Sequence, residues 1–134
     1  MTDLVISTIR PIEVWEKADG PTDEALAAGA AVRRDTTSAK FTKGNASGAG
    51  EAAVYGVSLT KAHYAGQAIT AVRRGLVDVG NALDALAFGA KVFLSNTDGG
   101  LADAAGTNSV EVGTVVPMWS PSSGAPDKVL RVWL

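Results

Sequence analysis

The chain has 134 residues, enough for one domain with one buried core, and 12 Lys and Arg against 14 Asp and Glu give a net charge of -2. That balance excludes a general electrostatic pull toward DNA or RNA. The absence of cysteine excludes disulfides, thiolate metal sites and a cysteine nucleophile. The hydrophobic fraction of 46% is mostly Ala and Val, and 15 glycines with many Thr and Ser point to short strands joined by tight turns. No stretch approaches the roughly 20 apolar residues of a membrane helix, and the N-terminus carries no basic region followed by a long apolar run.

Residues 1–25 read as an N-terminal arm and an edge strand. Leu4, Ile6 and Ile9 form a short apolar stretch ahead of Val14 and Trp15, among Pro11, Pro21 and the charges Glu13, Glu16, Lys17 and Asp19. From Leu26 the texture changes to small, Gly-punctuated strands. LAAGAAVRRD (26–35) reads as a turn running into a strand, DTTSAKF (35–41) as a hairpin turn, and TKGNASGAGE (42–51) as a polar loop. AAVYGVSLT (52–60) reads as a strand in which Gly56 marks a bulge or a close approach. QAITAVRRGLVDVG (67–80) reads as a long strand bent at Gly75, and NALDALAFG (81–89) as one helical turn, too short to stand alone. KVFLS (91–95) is a strand entering NTDGG (96–100), a strong hairpin signal because Asp-Gly and Gly-Gly tolerate positive φ. SVEVGTVVPMW (109–119) is a strand pair or bent strand, SPSSGAP (120–126) a loop, and DKVLRVWL (127–134) a closing strand.

The chain also matches itself. LAAGAAV at 26–32 aligns with LAFGAKV at 86–92, VYGVSL at 54–59 with EVGTVV at 111–116, and GQAITAVRR at 66–74 with GAPDKVLRV at 124–132, in preserved order. The expectation is two related β units, about 26–75 and 86–134, within one domain over 26–134 that forms a small β-sandwich or barrel. AVRR occurs twice, at Ala31–Arg34 and at 71–74. On this alignment the first corresponds to Lys91–Leu94 and the second to Val129, Leu130, Arg131 and Val132. The two copies are therefore different strands, each expected to alternate a core-facing with an exposed residue. Their arginines read as strand-face or subunit-contact groups pairing with carboxylates rather than as a DNA-binding motif.

Residues that could carry chemistry are sparse. His63 is the only histidine and lies beside Tyr64 in a turn-like stretch; with no second His and no Cys it does not make a zinc site, and no G-x-S-x-G surrounds any serine. Asn96-Thr97-Asp98-Gly99 lacks the acidic spacing of a calcium loop. Gly48-Ala49-Gly50 has neither the leading strand nor the following helix of a dinucleotide fingerprint. Asp78 and Asp84 do not converge by spacing. The aromatics are not interleaved with basic residues as in an RNA-recognition sheet. Trp119 and Trp133, near strand ends, read as core caps in preference to interface anchors.

The series GAAVRRDTTSAKFTKGNASGAGEAAVYGVSL, GQAITAVRRGLVDV, LAFGAKVFLSNTDGGLADAAGTNSVEVGTVVP and APDKVLRVWL, covering roughly 26–134, resembles the capsid decoration (cement, or head-stabilising) proteins of tailed bacteriophages. The G-A-x-V-R-x-D opening, the Y-G-V strand, the A-x-R-R-G strand and the V-x-L-S-x-T-D-G hairpin carry it. The resemblance implies a structural protein, not an enzyme, without cofactor, bound to the outside of the expanded head. Its partners would be the major capsid protein and itself, as a homotrimer or else a dimer, with no nucleic acid and no membrane. It would be made in the host cytoplasm and would brace the virion shell. In related systems an N-terminal arm adds to a capsid strand, a role that falls by position on residues 2–15. The contact candidates are then Leu4, Ile6, Ile9 and Arg10 in the arm, with Arg33, Arg34, Arg73 and Arg74. A tail or adhesion β-module, or a small ligand-binding β-barrel, are the alternative readings.

Overall fold

The computed structural model describes residues 2–119 and 124–134. The protein is all-β: one antiparallel sheet curled into a half-barrel, with no helix among the described residues. Its strands are β1 (Arg10–Pro21), β2 (Ala31–Arg34), β3 (Phe41–Lys43), β4 (Gly56–Ser58), β5 (Ala68–Asp78), β6 (Lys91–Leu94), β7 (Leu101–Ala102), β8 (Glu111–Met118) and β9 (Asp127–Trp133).

The order across the sheet is β3-β2-β4-β5-β9-β8-β6-β7, with β1 paired to β5. It reads the same from both ends when β2, β3, β4 and β5 are matched with β6, β7, β8 and β9. The registers match as well. Val32 pairs with Gly56 as Val92 pairs with Gly113, and Arg34 pairs with Phe41 as Leu94 pairs with Leu101. Both glycines are required for the same reason: a Cβ at Gly56 would lie 2.0 Å from the Val72 carbonyl oxygen, and one at Gly113 would lie 2.0 Å from that of Arg131. This equates Val72 with Arg131 and shifts the sequence alignment of the last strands by one residue. Arg73 and Arg74 therefore correspond to Val132 and Trp133, not to Arg131 and Val132. The halves meet where Arg74 pairs with Trp133, two matched positions on neighbouring strands.

The turns follow local chemistry. Asp35 accepts backbone N–H bonds from Thr37 (2.8 Å) and Ser38 (2.9 Å), closing the link from β2 to β3. Gly99, at φ 71°, lets the 96–100 hairpin join β6 to β7. Residues 81–89 are not a helical turn. They form successive tight turns with bonds from Asp84 N to Asn81 O (3.2 Å) and Leu86 N to Leu83 O (2.9 Å), which bury Leu83 without a helical repeat. The strand expected over 52–60 is regular only at Gly56–Ser58, and residues 120–123 of the expected loop lie outside the described residues.

The hairpin also draws the two ends of the sheet together. Ala31 N donates to Gly99 O (2.9 Å), Gly99 N to Gly44 O (2.8 Å) and Ala46 N to Ser95 O (2.8 Å). The arm is tied down beside it: Leu4 N donates to Leu101 O (2.8 Å), and the Asp3 carboxylate accepts from the Ser95 and Thr97 hydroxyls.

The strands separate two apolar clusters. The larger holds Val57, Val72, Val77, Leu83, Val92, Leu94, Leu101, Val112, Val115, Leu130 and Val132; the smaller holds Leu26, Val32, Phe41, Ala62, Ile69 and Ala71. In AVRR the expected alternation of core-facing and exposed residues fails, because both faces are covered. Ala31 enters the larger cluster and Val32 the smaller; Ala71 enters the smaller and Val72 the larger. All four are buried, and the arginines lie just beyond. Each fully buried Leu contributes about 1.5–3 kcal/mol of apolar transfer.

Candidate interaction surface

β1 is a charged, mostly exposed strand laid along β5, from Arg10 opposite Asp78 to Pro21 opposite Ala68. Its register breaks between Val14 and Glu16 and again between Glu16 and Lys17. A bulge re-aims side chains, and here the break leaves Trp15 45% exposed. Gly75 of β5 permits the approach, since a Cβ there would lie 2.5 Å from the Glu13 carbonyl oxygen. On the neighbouring strand β9, Arg131 and Trp133 are exposed while Val132 between them is buried. Trp133 therefore stands beside Trp15, ring centroids 6.3 Å apart in an edge-to-face arrangement.

Two arginines complete the cluster. The Arg74 guanidinium lies 4.6 Å from the Trp133 ring centroid, and Arg131 lies 4.9 Å from Trp133 and 6.0 Å from Trp15. Trp15, Glu16, Arg74, Arg131 and Trp133 line an open groove of about 420 Å³. A second hollow, about 320 Å³, shares Arg131 and Trp133 and continues to Glu111 and Thr114. The one acid in the groove is neutralised, because Glu16 pairs with Arg73 at 3.1 Å. Arg74 and Arg131 have no ion pair among the described residues, and Arg74 Nε is buried without an acceptor. The groove thus presents two cations against a pair of indoles, Arg131 on both and Arg74 on Trp133.

The other sequence-selected residues divide. Arg34 and Arg73, one from each AVRR, converge on Tyr55, at 5.5 and 5.3 Å from its ring; Arg34 also covers Phe41 at 4.4 Å and donates to the Ala39 carbonyl. Together they lid the smaller cluster. Of the four AVRR arginines expected to pair with carboxylates, Arg73 does so, with Glu16; outside them Arg10 pairs with Asp78 (3.1 Å). Arg33 stands apart, half-buried, with its Nε unpartnered. Leu4, Ile6 and Ile9 are half-buried against the protein's own larger cluster. The expectation that aromatics and basic residues are not interleaved fails here: Arg131 and Trp133 alternate about Val132 on β9, and Arg74 joins them from β5. Trp119 and Trp133 are not core caps; they are 66% and 51% exposed. His63 sits in an exposed turn, its N–H held by Gln67.

Sequence reasoning missed Trp15, Glu16, Arg131 and Trp133 as a unit. The available signals were a tryptophan inside a charged strand, V-W-E, and an Arg-x-Trp at the end of the chain, where alternation puts both side chains on one face.

Fold and surface together define a small all-β protein whose distinctive feature is an exposed aromatic–arginine face. No protein-family model matches the chain, and no curated protein matches it.

Proposed function

We propose that this chain is a structural, non-enzymatic protein of tailed-bacteriophage heads that binds the outer capsid surface and stabilises the shell lattice. One observation supports this reading beyond the sequence resemblance: Trp15, Trp133, Arg74 and Arg131 pack together into an aromatic–arginine face on one sheet, with both indoles and Arg131 exposed. Trp and Arg are the residue types that dominate protein–protein hot spots, and residues already held by packing lose less freedom on binding. A lattice protein repeats each contact by symmetry, so modest interfaces gain strength through multivalency. On this reading the partners are the major capsid protein and further copies of the chain, as a homotrimer or dimer. The site of action is the outer surface of a virion assembled in the host cytoplasm.

The arm takes a particular form in this proposal. Leu4, Ile6 and Ile9 lie on the chain's own domain, so strand addition to the capsid would begin with release of the arm from β7. The test uses expanded, undecorated heads of a phage that carries this sequence. The purified protein is expected to co-sediment with them and raise the temperature at which they release DNA. Heads that never bind it would sink the proposal, and labelling at the tail by electron microscopy would favour the tail-module reading instead.

A further inference from the structure

The groove has a complement on the same molecule. β5 and β9 run antiparallel, with Arg74 opposite Trp133 and Val77 opposite Leu130. Four residues along β5 from Arg74 stands Asp78, and four residues back along β9 from Arg131 stands Asp127, each about 13 Å away at strand rise. One end of this two-strand ribbon is therefore cationic and aromatic, and the other acidic. The acidic end is a hollow of about 240 Å³ lined by Asp78, Asn81, Asp84, Asp127 and Lys128. Arg10 pairs with Asp78, and Lys128 Nζ is taken up by the backbone carbonyls of Asp84 and Leu86. The carboxylates of Asp84 and Asp127 have no ion pair among the described residues. Beside them Phe88 is 47% exposed, its ring 5.4 Å from Lys128 Nζ.

We infer that the occupant of the Trp15–Trp133 groove is the 84–88 turn of a second copy of this chain. Phe88 packs on the exposed surface of the indole pair, and Asp84 and Asp127 meet the unpaired Arg131 and Arg74. Both halves of the contact are complementary: an exposed aromatic ring meets an aromatic-walled groove, and two unpaired acids meet two unpaired guanidiniums. Each copy then gives one acidic end and receives one, around a closed ring or reciprocally across a two-fold axis. The inference deepens the reading of this face as a contact surface and names its partner, without requiring that the partner sit on a head.

The test is charge exchange, read by sedimentation equilibrium of the full chain at low salt. The wild-type protein is expected to self-associate in the micromolar range and to dissociate as salt rises. Arg131→Glu alone and Asp84→Arg alone are each expected to weaken association by at least about tenfold. Mixed in equal amounts, they are expected to recover it, since one reversed groove then meets one reversed knob. Recovery also shows that both variants are folded. Phe88→Ala is expected to weaken association without the salt dependence changing. A monomeric wild-type chain, or single variants that associate like the wild type, would overturn the inference. Head binding is scored separately: a monomer that still binds heads removes this contact and keeps the proposed function, whereas self-association without head binding does the reverse.

Discussion

The two halves of the sheet share strand order and register but use matched positions for opposite purposes. In the second half Leu94 pairs with Leu101, and both are fully buried in the larger cluster. In the first half the equivalent pair is Arg34 and Phe41, a guanidinium over an aromatic ring that lids the smaller cluster. The pairing with the next strand also differs. β6 stays paired with β8 through Phe93, past an extra residue on β8, Val112. β2 pairs with β4 only at Ala31 and Val32, so Arg34 lies beyond that ladder and is exposed. The second contrast is β1, which pairs along β5 and has no counterpart on β9 among the described residues. Trp133 and Arg131 are thereby left at an open margin. One half is completed by a charged strand and the other is left exposed, so the groove forms at their junction.

The largest expected effect breaks the comparison at its apolar end. Leu94→Ala should cost about 2–5 kcal/mol in denaturant unfolding, the cost of emptying a buried leucine site. Arg34→Ala, at the matched position, should cost no more than about 1 kcal/mol, the value of an exposed cation–π contact. Equal losses would show that the two positions are not distinguished by burial. Next come Gly56→Ala and Gly113→Ala. Each puts a methyl group on a neighbouring carbonyl oxygen, so each should destabilise by about 1–3 kcal/mol, and by similar amounts if the halves are equivalent. A large loss at one glycine and none at the other would deny the match.

A smaller effect concerns the open margin. Trp133→Ala should change stability by less than about 1 kcal/mol while abolishing partner binding, which calorimetry and co-sedimentation would separate. A stability loss as large as that of Leu94→Ala would make Trp133 a core residue after all.

The smallest effect is the pH response of the arm. The Ser95 hydroxyl first, then that of Thr97, holds the Asp3 carboxyl below its usual range. A depressed folded-state pKa means that this contribution is present above the unfolded carboxylate value and is lost as pH falls through the folded one. The protection factors of the Leu4 and Asp103 amides, whose N–H groups join the arm to β7 and the residue after it, should therefore fall in acid once intrinsic exchange is corrected for. Asp3→Asn should remove that dependence. Glu24 responds with the same sign: burial would raise its pKa, but bonds from Thr42 and the Lys43 backbone outweigh it, so it is lowered.

What was legible in the sequence was what neighbouring residues determine. The hairpin turns at 35–41 and 96–100, Gly56 marking a bulge or close approach, and the strands read over 67–80 and 127–134 all depend on chemistry within a few positions. The 81–89 stretch misled because Leu83, Leu86 and Phe88 mimic helical spacing over a segment too short to nucleate. There, tertiary burial of Leu83 decided the conformation.

The sequence by itself determined an all-β chain with its turns in place and its arginines beyond small apolar residues. Only the tertiary structure decided what those arginines face. Trp15, Arg74, Arg131 and Trp133 come from three strands far apart in the chain, and their meeting depends on antiparallel register and on a bulge in β1. A one-residue slip in either would turn alternate side chains to the opposite face, and the groove would not exist.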